Sequence, residues 1–195
     1  HAGELAGELA EHDGSPLTAA VLRGLLETVT TERVNLVNAG ALAKARGITL
    51  VERKTSDAGA FASQLSVSSD GHGDPVKVAG TVAGGEPRIT GLGEYRLDME
   101  PADVMLITRH TDKPGMVGRI GAMLGEADVN ISAMHLARVR PREDALMILA
   151  LDDDVPPALA HAIDRAVAKD PNERWPDAGA MATALGDAVQ RRLEL

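Results

Sequence analysis

The sequence predicts an α+β protein of two domains: a two-helix unit with an antiparallel sheet, then a smaller unit with an atypical helical tail. Three observations predict it. Segments with apolar residues three and four apart, as on one face of a helix, are interspersed with segments in which apolar and polar residues alternate. The two kinds of segment recur twice along 195 residues, a length that suits one or two modest cores. Between the two sets stands Met99-Glu100-Pro101-Ala102, a short linker in which Pro101 marks the break. The expected domains are residues 1–98 and 99–166, with 167–195 as the tail.

In the first domain, Gly3 to Ala10 reads as a strand. Asp13-Gly14-Ser15-Pro16 then reads as a turn into a helix, with Ser15 as N-cap and Pro16 at the first helical position. Leu17, Val21, Leu25 and Val29 recur every fourth residue along that helix. A second helix is expected over Arg33 to Arg46, with Val34, Val37, Ala41, Leu42 and Ala45 on one face, and Gly47 is placed to stop it. Ile48 to Lys54 reads as a strand. Phe61 to Ser68 alternates as a half-buried strand, residues 69–74 are loop by composition, and Val76, Val78 and Val82 mark another strand. Gly84-Gly85 turns the chain into short strands near Pro87 to Thr90 and Glu94 to Leu97.

In the second domain, Val104 to Thr108 is apolar on both faces, which suits a central strand. A polar turn and Pro114-Gly115 lead into a helix on which Val117, Ile120, Leu124 and Ala127 share one face. Pro114 is expected at its first position. Ile131 to Arg138 alternates, Arg140 to Asp144 is a hairpin turn, and Ala145 to Leu151 is apolar on both faces. Pro156 opens a last helix with Leu159, Ile163 and Val167 facing inward.

Composition excludes several functions. Cysteine is absent, which removes disulfides, thiolate metal sites and cysteine nucleophiles. The formal charge of −9, with no Lys/Arg cluster to offset it, argues against nucleic acid. No apolar run approaches the ~20 residues of a membrane span. Histidines, His135 included, show no metal-ligand spacing. The chain opens on His1 with nothing like a signal peptide and reads as part of a longer cytoplasmic polypeptide.

The segment His110 to Ser132, HTDKPGMVGRIGAMLGEADVNIS, resembles the opening of an ACT domain, the ferredoxin-like βαββαβ module that binds amino acids as effectors. Its Asp-Lys-Pro-Gly and Val-Asn-Ile wording is similar to the ACT domain at the C-terminal end of bacterial D-3-phosphoglycerate dehydrogenases. Upstream, SPLTAAVLRGLLETVTTERVNLVNAGALAKARGITLVERKT and VAGTVAGGEPRITGLGEYRLDMEPADVML resemble the intervening, allosteric substrate-binding domain of the long form of that family. Together these resemblances cover roughly residues 3 to 166, in the order of the family. L-serine dehydratases carry a related pair of domains, and a stand-alone amino-acid sensor is a further alternative.

The family resemblance implies regulation of L-serine synthesis by an NAD-dependent enzyme. The catalytic machinery is not in this chain: there is no GxGxxG after a strand, and Gly115, Gly118 and Gly121 recur every third residue within a helix. Catalytic residues, a resident cofactor and a metal are therefore not expected here; NAD belongs to catalytic domains elsewhere. What the resemblance implies instead is an effector site for L-serine or a similar small amino acid. Its residues are His110, Asp112, Gly115, Met116, Val117, Asn130 and Ile131, shared between two copies of the chain. Helix N-termini leave backbone N–H groups free for a carboxylate, Asp112 suits an ammonium group, and Asn130 suits the amino or hydroxyl groups. Arg53, Lys54 and Arg88 are candidates for an anion in the first domain. A homo-oligomer joined through exposed ACT strand edges is expected.

The pattern changes after the last helix. Arg165 to Ala188, RAVAKDPNERWPDAGAMATALGDA, resembles the end of a bacterial Ser/Thr kinase C-lobe, in which the residue matching Arg174 pairs with a glutamate. No HRD, DFG, APE or VAIK segment accompanies it, so the tail is expected as a helix with an apolar face, or with a short last strand at Arg192 to Leu195.

Overall fold

The computed structural model describes residues 1–69, 75–168 and 170–173, with positions 180 and 183. The chain divides into two compact units, His1–Glu100 and Pro101–Leu195.

Unit 1 is a six-stranded sheet in the order β2-β1-β3-β4-β5-β6. Its strands are β1 (Ala2–Gly7), β2 (Val51–Thr55), β3 (Ser63–Ser69), β4 (Val76–Ala83), β5 (Glu86–Leu92) and β6 (Tyr95–Met99). Four of the five pairings are antiparallel, as expected. β1 and β2 run parallel, because α1 (Ser15–Glu27) and α2 (Ala39–Ala45) lie between them in sequence and carry the chain back along the sheet. Gly84, Gly85 and Gly93 adopt positive φ at the hairpin turns, a conformation in which a Cβ is penalised. β2 is an edge strand whose Glu52, Arg53 and Lys54 are exposed; charge on an edge discourages pairing with foreign strands.

Three local readings are corrected in unit 1. Gly14, not Ser15, is the N-cap of α1; the Asp13 carboxylate accepts from the Ser15 backbone N–H at 3.1 Å and its hydroxyl at 2.7 Å, so the acid organises the turn. The buried face of α1 is Leu22 and Leu26, while Leu25 and Val29 are exposed. An every-fourth-residue line drifts around a helix of 3.6 residues per turn, and it led away from the core. The second helix begins at Ala39 rather than Arg33. Asn35 Oδ1 accepts from the N–H groups of Val37 and Asn38, and Asn38 Oδ1 accepts from that of Asn35 at 2.7 Å. These side chains offer the backbone an alternative to helical bonding, and Val37 is 94% exposed as a result. Gly47 ends α2 at φ 70° as expected. Leu22, Leu26, Val34, Ala39 and Ala43 form the helical core.

Unit 2 has β7 (Val104–Thr111), α3 (Met116–Glu126), β8 (Ile131–Arg138), β9 (Asp144–Leu151) and α4 (Pro157–Val167). The sheet order is β7-β9-β8, with β9 antiparallel to both neighbours. β9 is therefore central, and every residue from Ala145 to Leu151 is buried. β7, expected to be central, has no strand on its other side among the described residues, and Ile107 is 50% exposed. Ile120, Met123 and Leu124 of α3 meet Leu159, Ile163 and Val167 of α4 over Met147, Leu149 and Leu151. Each such large side chain contributes roughly 1.5–3 kcal/mol when buried. Val117, assigned to that face, is 40% exposed. Gly115, in the left-handed region at φ 90°, is the N-cap of α3, so Pro114 precedes the helix. The expectations for 70–74, 169, 174–179, 181–182 and 184–195, including the loop after β3, the pairing of Arg174 and a strand at 192–195, lie outside the described residues.

Candidate effector site

His110, next to the last residue of β7, is 1% exposed, and its Nδ1 has no hydrogen-bond partner among the described residues. Thr108 Oγ1, two residues earlier on the same face, is likewise buried and unpartnered. Unpaired buried polar atoms are uncommon and costly. Burial holds the His110 imidazole below its ordinary range, with the nearby Asp112 carboxylate pulling the other way.

From His110 the turn Asp112–Gly115 leads directly to α3. Among the described residues no side chain caps that helix, and its first intrahelical bond at this end runs from Arg119 N–H to Gly115 C=O. The N–H groups of Met116 and Val117 are thus left without intrahelical partners and face the positive end of the helix dipole. Nothing lies within 4 Å of where a Gly115 Cβ would stand, so the approach to these donors is open.

Asp112 is already engaged. Its Oδ2 accepts from Arg138 Nη1 at 2.9 Å and from the Arg142 N–H at 3.0 Å. The Asp112 N–H donates to the Glu143 carbonyl at 2.7 Å. The β8–β9 hairpin therefore grips this residue, and the Arg142 N–H and Arg138 guanidinium hold its carboxyl below the usual carboxylate range.

Asn130 and Ile131 are placed elsewhere. The cross-strand register puts His110 in a row with Ala145 and Arg138, whereas Ile131 shares a row with Leu151 and Val104. Six rows at ~3.4 Å each separate the two ends by about 20 Å. Asn130 Nδ2 donates to Asp152 Oδ2 at 2.5 Å, and its N–H to Asp153 Oδ2 at 3.2 Å. One copy of the chain thus gathers His110, Asp112, Gly115, Met116 and Val117 at one end and holds Asn130 and Ile131 at the other.

The cationic candidates of unit 1 do not converge. Arg53 and Lys54 lie on β2, four strands from Arg88 on β5, or about 19 Å at ~4.8 Å per strand. Lys54 Nζ donates to the His12 carbonyl at 2.5 Å. Arg88 is clamped by Asp98 at 2.7 Å and Glu100 at 3.0 Å. A cleft of about 490 Å³ instead opens over β3 to β6, beneath residues 57–61. It is lined by the small residues Ser66, Ala79, Thr90 and Gly91, and Gln64 Nε2 donates to Thr90 Oγ1 at 3.0 Å. Lys77 and Arg96 at its rim form no ion pair among the described residues. Sequence reading passed over this cleft. The signal available was the polar alternation of Gln64, Ser66, Lys77 and Thr90 on strands otherwise rich in valine.

Among the described residues no group of three or more His, Asp or Glu side chains is placed to hold a metal ion, and no helix is long and apolar enough to cross a membrane.

Comparison with known proteins decides the family. Residues 4–92 match the D-3-phosphoglycerate dehydrogenase intervening domain, and residues 104–167 match the ACT domain. Unit 1 thus contains a D-3-phosphoglycerate dehydrogenase intervening domain, and unit 2 contains an ACT domain. A D-3-phosphoglycerate dehydrogenase of Synechocystis is 39% identical over 163 residues, 83% of this chain and 29% of that protein. Its counterpart in Archaeoglobus fulgidus is 35% identical over 153 residues, 77% of this chain and 29% of that protein. The Mycobacterium tuberculosis enzyme is 36% identical over 167 residues, 84% and 32% of the two chains. The chain thus spans about three tenths of these relatives, and its two domains are those of a regulatory region of D-3-phosphoglycerate dehydrogenase. The ACT match stops at Val167, two residues after the start of the segment that resembles a kinase C-lobe.

Proposed function

We propose that this region senses L-serine, or a small amino acid close to it, and regulates a D-3-phosphoglycerate dehydrogenase of the L-serine pathway. The observation that carries this reading is the succession along the chain of His110, whose buried Nδ1 has no partner among the described residues, and the N-terminus of α3, which no described side chain caps. The amides of Met116 and Val117 supply donors for a carboxylate, and Asp112 supplies an acceptor for an ammonium group. Asn130 of a second copy completes the cage, because the Asn130 of the same chain stands at the far end of the sheet. A ligand held between two copies stabilises only the assembly that builds the pocket, so effector binding and quaternary state are linked. NAD and the chemical step belong, on this reading, to the dehydrogenase's catalytic domains in a cytoplasmic enzyme.

Calorimetry with L-serine and with D-serine tests this reading. Saturable heat with the L-isomer, lost in Asn130→Ala and in Gly115→Val, supports it. A folded sample giving no heat with L-serine at millimolar concentration overturns it.

In unit 1 an anionic effector fits the cleft between Lys77 and Arg96 better than Arg53, Lys54 or Arg88, because Lys54 and Arg88 are engaged by acceptors of the chain itself. Inorganic phosphate should raise the melting temperature of the wild type and not that of Lys77→Ala/Arg96→Ala; equal shifts in both would remove this assignment.

A further inference from the structure

The ion pair between Arg138 and Asp112 suggests how the ACT site recognises a zwitterion. Resting on the effector reading above, we infer that Arg138 occupies the position of the ligand's ammonium group in the empty site and is displaced when an amino acid binds. Arg138 sits at the C-terminal end of β8, in one cross-strand row with Ala145 of β9 and His110 of β7. Residues directly opposite in a sheet share a face. The Arg138 and Asp112 side chains together bridge the two strand spacings between β8 and β7, about 10 Å, and meet at 2.9 Å.

The pair has the properties of a displaceable contact. Arg138 is 56% exposed and Asp112 18%, so the arginine can swing into solvent while the carboxylate stays in the site. Arg142 N–H holds the same Oδ2 independently, so Asp112 keeps its place when Arg138 leaves. Burial disfavours a charge on His110, and Glu143 meets Asp112 through its backbone and pairs its carboxylate with Arg140; among the described residues neither Lys113 nor the Arg142 guanidinium bonds the Asp112 carboxylate. Without Arg138, a second cation is needed opposite Asp112, and an α-ammonium supplies it. A hydroxy acid of the same shape has none, so it gains nothing from the exchange. Arg138 thus makes the site a comparator of cations and sets both affinity and the preference for amino acids over hydroxy acids.

The test is calorimetric titration of the wild type, Arg138→Gln and Arg138→Lys with L-serine and with glycerate, the corresponding hydroxy acid. Arg138→Gln should bind L-serine roughly two- to five-fold more tightly, the range that a half-exposed ion pair spans, with glycerate affinity unchanged; Arg138→Lys should stay near wild type. Circular dichroism melts establish that each variant is folded. Wild-type binding with no gain, or a loss, in Arg138→Gln overturns the inference and leaves the effector reading intact, as does an equal gain for both ligands. L-Serine binding by neither form removes both. Binding by Arg138→Gln alone also overturns the inference, since the arginine then blocks the site instead of yielding to the ligand.

Discussion

His110 and Asn130 stand at opposite ends of the same three-stranded sheet, in rows about 20 Å apart. A small amino acid is far shorter than that distance, so it can touch both residues only if they come from two chains. Mixed assemblies should reveal this. Asn130→Ala and His110→Ala should each bind no L-serine alone. After subunit exchange at equal amounts, binding should return to about a quarter of the sites, since half the dimers are mixed and each carries one intact pocket. Calorimetry of the mixture is the readout, and a mixture as inert as its components would mean that the two residues do not share a ligand.

Stability should fall as the solution is acidified through the histidine range. His110 is buried with its ring held below its ordinary value, whereas the unfolded ring titrates near ~6.5. The unfolded chain therefore takes up the proton first. The stabilisation is intact above about pH 6.5 and is lost progressively as pH falls below it. Asp112, held below the carboxylate range, acts in a separate window: its contribution is present above about pH 4 and disappears below. Urea midpoints at pH 7.5 and 5.5 should differ for the wild type and differ less for His110→Gln.

Gly7 admits no side chain. Its backbone has φ 66° and ψ −137°, a region open essentially to glycine alone, and a Cβ would lie 2.1 Å from the Ala62 carbonyl oxygen. Gly7→Ala should destabilise unit 1 by roughly 3 kcal/mol or more and lower its melting temperature. Gly24→Ala, at a helical position with open space around it, should be neutral or stabilising by up to about 1 kcal/mol. Differential scanning calorimetry compares the two, and equal melting temperatures would contradict the account.

The turn before α2 depends on two asparagines. Asn38 Oδ1 accepts from Asn35 N–H, and its Nδ2 donates to the Arg33 carbonyl at 3.0 Å. Asn38→Ala should therefore cost about 1–2 kcal/mol, measurable as a lower urea midpoint, and Leu36→Ala, at an exposed neighbour, much less.

These positions also show what sequence reading reaches. The order of elements, the Gly47 helix stop and the inward face of α4 were legible, because each follows from a local rule of period or turn chemistry. The shortened α2 was not, because Asn35 and Asn38 bond locally against a helical pattern. Central β9 and β7, which has one partner strand among the described residues, were indistinguishable by composition, since both are apolar on each face. At the site, the α3 N-terminus and His110 could be named in advance. The engagement of Asp112 by Arg138 depends on a residue 26 positions away that only strand register brings near. The Lys77–Arg96 cleft likewise needs four strands assembled before it exists.

The central claim is that an amino acid binds between two copies of the ACT domain and so drives them together. Sedimentation equilibrium with and without L-serine tests this most directly. The account predicts that saturating L-serine shifts the chain toward dimer, and that Asn130→Ala abolishes the shift. A binding chain whose association constant is the same with and without L-serine would contradict it.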